Sequence, residues 1–416
     1  MLFLRNKKTI CIITSGQPST NPRAVKEADA LCQMGYRVRV IASHWIDWAI
    51  PFDRLLLADR PWEYQLVGYQ PKRDRFRYFF TRLRHKLARI LSRKYFGDPW
   101  IEWAAGRTVS ELKKAAQSFP ADLYIAHTIP ALPAADCASK KYDGKFAFDA
   151  EDFHSGQLHQ SRDRTAQRIC EHIEKKYLPR CHYVSASSPL IGEAYGRIIE
   201  GLRPKVVLNV FPLRLRPKAP VFNPSSDPLK LFWFSQTIGE SRGLEDVVSA
   251  MACFPHSKIE CHLLGNVKAS YKEKFYSEAL KAGLQQSQIF FYEPIHPDGL
   301  VEFASRFDVG LALESSLDTN YNLALTNKFF TYLLAGCAVV GTSTLAQRPL
   351  VESLGEAGWL VAPGDVHQLA TGLRNWLEDR EGLKRARQKA WEIAEKQYNW
   401  DLEKFKFLRL VEETLS

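Results

Sequence analysis

Two side chains of opposite charge, Glu314 and Lys328, bracket the first half of the stretch ESSLDTNYNLALTNKFFTYLLAGCAVVGT, residues 314–342 of a 416-residue chain. The apolar run Val309-Gly310-Leu311-Ala312-Leu313 reads as a buried strand, and Glu314 stands where it ends. A polar loop follows. A helix is predicted from about Asn327 to Ala335, stopped by Gly336, with Cys337-Ala338-Val339-Val340 as the next buried strand. Thr326, Asn327 and Lys328 therefore fall at a helix N-terminus, beside the carboxyl ends of parallel strands. Backbone N–H groups, the helix dipole and a lysine together make an anion site. Open parallel sheets bind ligands in that crevice. The chemistry expected here is the holding of a phosphorylated donor.

A second polar group lies in the first half. Lys145-Phe146-Ala147-Phe148-Asp149 reads as a strand and runs into Ala150-Glu151-Asp152-Phe153-His154. An Asx-type turn with capping explains part of such a pattern. Three carboxylates and a histidine in six residues favour a functional site, with Glu151, Asp152 and His154 as its acid/base candidates. Neither HxxxH nor HExxH spacing occurs, so no metal site is expected. Asp122 to His127 forms another strand with a polar end. Near the start, Thr9–Thr14 reads as a strand and Ser15–Thr20 as a small-residue turn holding Gly16. Asn21 caps a helix with Pro22 at its first position. Arg23 and Lys26 sit in its first turns. They are either a solvated helix face or contacts to acceptor or phosphate. There is no full GxGxxG, so this opening alone is a weak dinucleotide signal.

The elements around these groups alternate strand and helix in two successions. The first ends at Val206-Val207-Leu208-Asn209, before a Pro- and Ser-rich loop. The second restarts at Leu229–Ser235, followed by the loop Gln236–Gly243 and a helix from Leu244. Strands are also expected at His262–Gly265, Ile289–Phe291 and Trp359–Val361. The fold class predicted is α/β, with two Rossmann-like doubly wound domains facing across a cleft. The expected boundaries are 1–212, a linker at 213–228, a second domain at 229–395, and a final helical segment at 396–416.

The net charge of +11 is one-sided. Residues 1–200 hold 32 Lys and Arg against 21 Asp and Glu, whereas residues 201–416 hold 25 of each. Between 72 and 94, ten basic residues oppose Asp74 alone. Phe79, Phe80, Leu83, Leu87, Ile90 and Leu91 recur among them at helical spacing. The stretch 77–95 reads as a basic amphipathic helix suited to an anionic membrane surface; the bland alternative is packing on its own domain. No recognition motif accompanies the charge, so nucleic acid is not an expected partner. The eight cysteines form no CxxC pair and are expected as buried thiols. No signal peptide is expected, and no run of about 18 apolar residues suggests a membrane span. The expected location is cytoplasmic, peripheral on the inner face of the membrane.

In order and spacing, six pieces of the chain resemble the GT-B glycosyltransferases, and within them the large GT4-like class (glycosyltransferase group 1). The pieces are STNPRAVKEADAL, AFDAEDFHS, VVLNVFP, WFSQTIGESRGLEDV, LALTNKFFTYLLAGCAVVGT and GWLVAPGD. The resemblance covers nearly the whole chain. It implies a nucleotide-sugar donor, UDP- or GDP-linked, held mainly by the second domain, with the acceptor on the first. It also implies retention at the anomeric carbon with no metal and no cofactor. Arg242, ahead of Gly243, looks like the basic residue that clamps the donor diphosphate. Lys328 is similar to a lysine that some members place at this helix start. Gly16 looks like the glycine that lets the backbone approach the donor. Glu293 lies where members contact the base. Ser235 and Gln236 fall in the motif after the linker, and Asn209 in the motif before it. On the acceptor side the candidates are Arg23, Lys26 and His127. The class often carries two glutamates eight positions apart; those positions here are Leu323 and Thr331. Gln236 stands where many relatives have arginine, and Glu151 where a histidine is common. Members often send a final helix back to the first domain, and Trp391–Leu415 is expected to be that helix, with Trp400-Asp401 in its middle.

The function expected is glycosyl transfer to a glycan or lipid-linked acceptor in surface glycan or glycolipid assembly. Two alternatives remain open on these residues. One is a GT-B pseudo-enzyme or sugar-nucleotide-binding scaffold, for which the non-acidic positions 323 and 331 speak. The other is a GT-B nucleotide-sugar epimerase.

Overall fold

The computed structural model describes residues 8–70, 72–93, 97, 99–157, 164–254, 258–314 and 318–416. The chain divides into two units. The first comprises residues 1–208 with 404–416, and the second residues 209–403.

The first unit opens with β1 (Thr9–Thr14), α1 (Pro22–Gln33), β2 (Arg37–Ser43), α2 (Ile50–Leu57) and β3 (Glu63–Val67). Three helices follow, α3 (Arg75–Leu91), α4 (Trp100–Ala105) and α5 (Val109–Ala116). Then come β4 (Leu123–His127), α6 (Leu132–Tyr142), β5 (Lys145–Ala150), α7 (Thr165–Tyr177), β6 (Val184–Ala186), α8 (Pro189–Ile198) and β7 (Lys205–Val206). The strands run parallel in the order β3-β2-β1-β4-β5-β6-β7. The order reverses direction between β1 and β4, which makes their carboxyl ends the switch point of this sheet. Strands with helices on both faces need apolar residues on both sides, and β1 and β4 are accordingly apolar almost throughout.

The second unit holds β8 (Leu229–Ile238), α9 (Leu244–Ala252), β9 (Ile259–Val267), α10 (Ala269–Lys281), β10 (Ile289–Tyr292), α11 (Leu300–Ala304) and β11 (Val309–Ala312). It continues with α12 (Thr319–Leu323), α13 (Asn327–Ala335), β12 (Ala338–Thr342), α14 (Gln347–Ser353), β13 (Gly358–Val361), α15 (Val366–Glu378) and α16 (Arg380–Lys396). The sheet is parallel, ordered β10-β9-β8-β11-β12-β13, with its switch point between β8 and β11. Its core joins Trp233, Leu263, Leu311 and Val340 from the strands to Val247, Phe275 and Leu373 from the helices.

The helix α13 begins at Asn327 and ends at Ala335, with Gly336 left-handed at φ 71°, as its sequence pattern predicts. Other local expectations change. Gln236 is not in a loop: β8 continues to Ile238 through an irregularity between Phe234 and Thr237. The segment before Asn327 contains the extra helix α12, capped by the Asp318 side chain on the Tyr321 N–H. The strand expected at 206–209 is only β7, two residues long. The chain end is two helices rather than one, because α17 (Trp400–Leu415) starts afresh after α16. Asn399 makes the break: its side chain accepts from Leu402 N–H and donates to the Ala394 and Glu395 carbonyls, serving both helix ends. Residues 404–416, which hold all but the first turn of α17, belong to the first unit, where Lys145 donates to the Thr414 carbonyl.

Candidate functional site

In the second unit the switch point brings together loops that carry the expected donor residues. The loop after β8 supplies Arg242 and Gly243, and β11 ends at Glu314. Gly243 is left-handed at φ 72°, and a Cβ there would stand 3.0 Å from the Leu313 Cβ. Its loop can close on the end of β11 because the residue is glycine. Glu314 is fastened by Thr342 at the end of β12, whose hydroxyl meets both the Glu314 N–H and its carbonyl at 2.9 Å. Lys328 donates from Nζ to Glu314 Oε1 at 2.7 Å, with side chains only 10% and 3% exposed. The ammonium also lies 5.7 Å from the centroid of the buried Trp233 ring. Arg242 donates to the Tyr321 hydroxyl at 3.0 Å and lies 5.9 Å from that ring's centroid. Thr326, at the cap position of α13, has a buried hydroxyl with no hydrogen-bond partner among the described residues. A cavity of about 420 Å³ opens beside these residues, lined by Gly243, Glu314, Thr342 and Gly364 among others. Two cations and a helix N-terminus are therefore collected at the carboxyl ends of β8 and β11, an arrangement that suits a diphosphate.

The remaining donor-side candidates spread out. Ser235 is half-buried and Gln236 exposed, both late in β8. Glu293 is exposed after β10, the edge strand, two strands beyond β8. Asn209 is the half-buried first residue of the second unit. The positions of the absent glutamates are filled otherwise. Leu323 ends α12, and buried Thr331 donates its hydroxyl to the Asn327 carbonyl.

In the first unit the polar ends of β4 and β5 meet α1 in a fully buried charge cluster. Arg23 donates from both Nε and Nη2 to the Asp149 carboxylate, the latter at 2.7 Å, and from Nη1 to the Val207 carbonyl at 2.8 Å. Ser185 donates to the same carboxylate at 2.6 Å. His127 faces three carboxylates: Glu27 Oε2 at 3.0 Å from Nε2, then Glu151 Oε1 at 3.2 Å and Asp149 Oδ2 at 3.3 Å from Nδ1. Burial opposes charge on His127, but Glu27, Glu151 and Asp149 together outweigh it and push its pKa up to about 10. Burial, with the adjacent Asp149, raises Glu27. Burial and the neighbouring Arg23 bring Lys26 down to about 7. Arg23 and Lys26 are thus neither a solvated helix face nor free at the surface. Glu27 escaped the sequence reading; the signal for it is its i+4 spacing from Arg23, on the same side of α1.

Glu151, Asp152 and His154 follow on a loop held from behind. Ser187 donates to the Glu151 carbonyl at 2.6 Å. The Tyr195 hydroxyl contacts the Asp152 carbonyl at 3.2 Å and the His154 N–H at 3.3 Å, and bonds Glu174 at 2.9 Å. The Glu151 side chain is about a quarter exposed, so one carboxylate at the strand ends faces outward while bonded to a buried imidazole. Gly16 follows the end of β1, where its N–H bonds Thr14 Oγ1 at 3.0 Å.

Glu27, His127 and Asp149 present ligand atoms within 4.8 Å of one another, a spacing a metal ion could use. Arg23 already occupies both Asp149 oxygens and stands 3.6 Å from Glu27, so the cluster is charge-paired by protein. The cysteines are all free; Cys11, Cys261 and Cys337 are buried, whereas Cys253 is exposed.

Residues 216–393 match the family model described as glycosyl transferases group 1. No curated protein matches the chain. Among solved structures, the sucrose-phosphate synthase of Thermosynechococcus elongatus aligns with TM-score 0.72 at 16% identity, over 98% of this chain and 99% of that one. HepE of Anabaena in complex with UDP aligns with TM-score 0.67 at 16% identity, over 98% and 100%. A glycosyltransferase from Rickettsia africae aligns with TM-score 0.68 at 14% identity, over 99% of both. The chain has the two-domain GT-B fold of these glycosyltransferases, and within its second unit residues 216–393 are similar to the group 1 glycosyl transferases.

Proposed function

We propose that the enzyme moves a sugar, with retention and without a metal ion, from a UDP-linked donor to a lipid-linked acceptor at an anionic membrane surface. The observation that carries the donor half is the placing of Arg242 and Lys328 at the β8/β11 switch point, beside the N-terminus of α13. Two cations and a helix dipole offset the charge that develops on a departing nucleoside diphosphate, which is the service a divalent ion would otherwise give. Uridine is favoured over guanosine because HepE of Anabaena, similar in fold, is found with UDP and with UDP-glucose. Retention rests on the resemblance to the GT4-like class. Glu314 borders the donor and holds the Lys328 ammonium. On the acceptor side Glu151, oriented by His127, is the leading acid/base group, with Asp152 and His154 beside it.

The membrane half rests on α3. Its outward side carries Phe76, Phe79, Phe80, Leu83, Leu87 and Ile90, with Phe76 93% and Phe79 63% exposed. Arg75, Arg82, Lys86 and Arg89 flank that stripe, and the helix contains no acid. Apolar side chains with flanking cations lie well in the headgroup layer of anionic lipid. Lys94 and Tyr95, in the expected stretch, lie outside the described residues. No described helix is long and apolar enough to cross a membrane. This reading places the enzyme on the cytoplasmic face as a peripheral protein.

The test is transfer itself. The enzyme is incubated with UDP-sugars, vesicles containing phosphatidylglycerol and a polyprenyl-phosphate-linked glycan, and the anomeric configuration of the product is read by NMR. Expected is a product with the donor's configuration, formed in EDTA and faster on anionic than on neutral vesicles. Inversion, or loss of activity in EDTA restored by a divalent ion, would overturn the mechanism. Equal rates on neutral vesicles would overturn the membrane half.

A further inference from the structure

The first unit contains a cavity that neither the donor residues nor the buried charge cluster uses. It measures about 270 Å³ and lies under α3, between α4, α7 and the turn after β4. Ile129, Pro130 and Ile169 give it apolar walls, and Arg89, His85 and His154 are its polar members.

Three independent features mark it as built to hold something. First, His154 Nε2 is buried and has no hydrogen-bond partner among the described residues, in a residue whose backbone N–H bonds the Tyr195 hydroxyl. An unpaired buried nitrogen costs about 1–3 kcal/mol unless a ligand or water meets it. Second, Thr128, on the cavity wall, is left-handed at φ 75°. A β-branched residue there is strained, and such strain gathers at functional sites. The conformation is held by Ser15, whose hydroxyl lies 2.8 Å and whose N–H lies 3.3 Å from Thr128 Oγ1. The wall is thus tied to the β1/β4 switch point, where sheets of this kind take ligands. Third, Arg89 brings a guanidinium to the rim, with no hydrogen bond or ion pair to it among the described residues. Four residues earlier on the same helix, His85 Nε2 contacts the Ala104 carbonyl at 3.1 Å.

An apolar chamber with a guanidinium and an unpaired imidazole fits neither a free sugar nor a bare alkyl chain. It fits an anionic head joined to an apolar tail. Cys170 is also on the wall, but burial pushes its thiol up to about 12, which makes it a packing group rather than a nucleophile.

We propose that this cavity binds the phosphate head of an amphiphilic acceptor, with Arg89 and His154 taking the phosphate oxygens and the apolar walls taking the first carbons of its chain. The role as acceptor subsite rests on the glycosyl-transfer reading above; the existence of the site does not.

The test uses decyl phosphate below its micelle concentration, titrated calorimetrically into the full chain, with decanol and inorganic phosphate in parallel. UDP binding is measured on each variant. Expected is saturable binding of decyl phosphate, at least tenfold tighter than either half-molecule. Arg89→Ala and Ala166→Trp, which fills the cavity from the partly exposed side of α7, should each weaken it at least tenfold and leave UDP binding unchanged. Inorganic phosphate binding as tightly as decyl phosphate would overturn the proposal, as would equal binding of decanol. Absence of decyl phosphate binding in a protein that still binds UDP would overturn this site alone. Saturable, Arg89-dependent binding in a protein that ignores UDP would support the site while removing the donor reading.

Discussion

His127 and Glu27, a hundred residues apart in sequence, meet at 3.0 Å between Nε2 and Oε2 with neither side chain exposed to solvent. The contact joins the end of β4 to α1 and turns the other ring nitrogen toward Glu151. It also has a signature in pH. His127 is raised from its ordinary 6.5 to about 10, so its contribution to stability is complete below pH 6.5 and is lost as pH rises toward 10. Lys26, brought from 10.5 down to about 7, acts in the opposite sense: between those values the unfolded chain binds the extra proton, and stability rises with pH. The groups facing this pair are Arg23, Glu27, Asp149 and Glu151. In the native enzyme the two trends offset one another from pH 7 to 10. In His127→Gln only the Lys26 trend remains, so urea midpoints should rise with pH across that window. Parallel curves for the two proteins would contradict the assignment.

The Arg23–Asp149 pair is a strut between α1 and β5, not a surface bridge. Arg23→Met leaves Asp149 and Glu27 with His127 in place of two cations in a site closed to water, and should cost about 3–5 kcal/mol. The exposed pair Arg197–Glu193, at 3.3 Å, is the comparison. Arg197→Met should cost about 1 kcal/mol or less. Denaturant unfolding of the two variants measures the difference, and equal losses would show that the buried cluster is not a stabilising unit.

Close packing of α13 on β11 sets where Lys328 stands. A Cβ on Gly310 would overlap the Tyr332 ring, whose hydroxyl bonds the Leu311 carbonyl at 3.2 Å. Gly310→Ala should therefore destabilise by about 1–3 kcal/mol through overpacking. Gly239→Ala, where nothing lies within 4 Å of the added carbon, should stay within about 0.5 kcal/mol of the native enzyme. Melting curves of the two variants decide this.

Glu314 is the resting partner of Lys328, and a diphosphate arriving at that ammonium must share it. Replacing the charge but not the shape should favour the ligand. Glu314→Gln is expected to bind UDP severalfold more tightly while melting at a lower temperature. Weaker UDP binding in this variant would mean that the carboxylate itself holds the donor.

The sequence is a good guide to the second unit, since local signals there agree with one another. Asn327, Gly336 and the apolar strand at 309–313 each point to the same βαβ unit. It is a poorer guide where long-range contacts decide. Arg23 and Lys26 resemble a solvated face, because nothing local shows that Asp149 and His127 will close over them. Gln236 looks like loop because the irregularity in β8 lets a polar strand end continue beside β9. The break at Asn399 is hidden within a continuous helical pattern, since one side chain serves two helix ends. The stripe on α3 is legible as amphipathic, but only the structure shows that Phe79, Leu83 and Ile90 remain uncovered by the rest of the first unit.

The most direct test of the donor site is calorimetric titration of UDP, UMP and uridine into the native enzyme, Lys328→Ala and Arg242→Ala. The prediction is that the native enzyme binds UDP best. Each substitution should weaken UDP at least tenfold, about 1.4 kcal/mol or more, and uridine hardly at all. Failure of the native enzyme to bind UDP, or equal affinities in all three proteins, would contradict the placing of the donor diphosphate at the Arg242–Lys328 switch point.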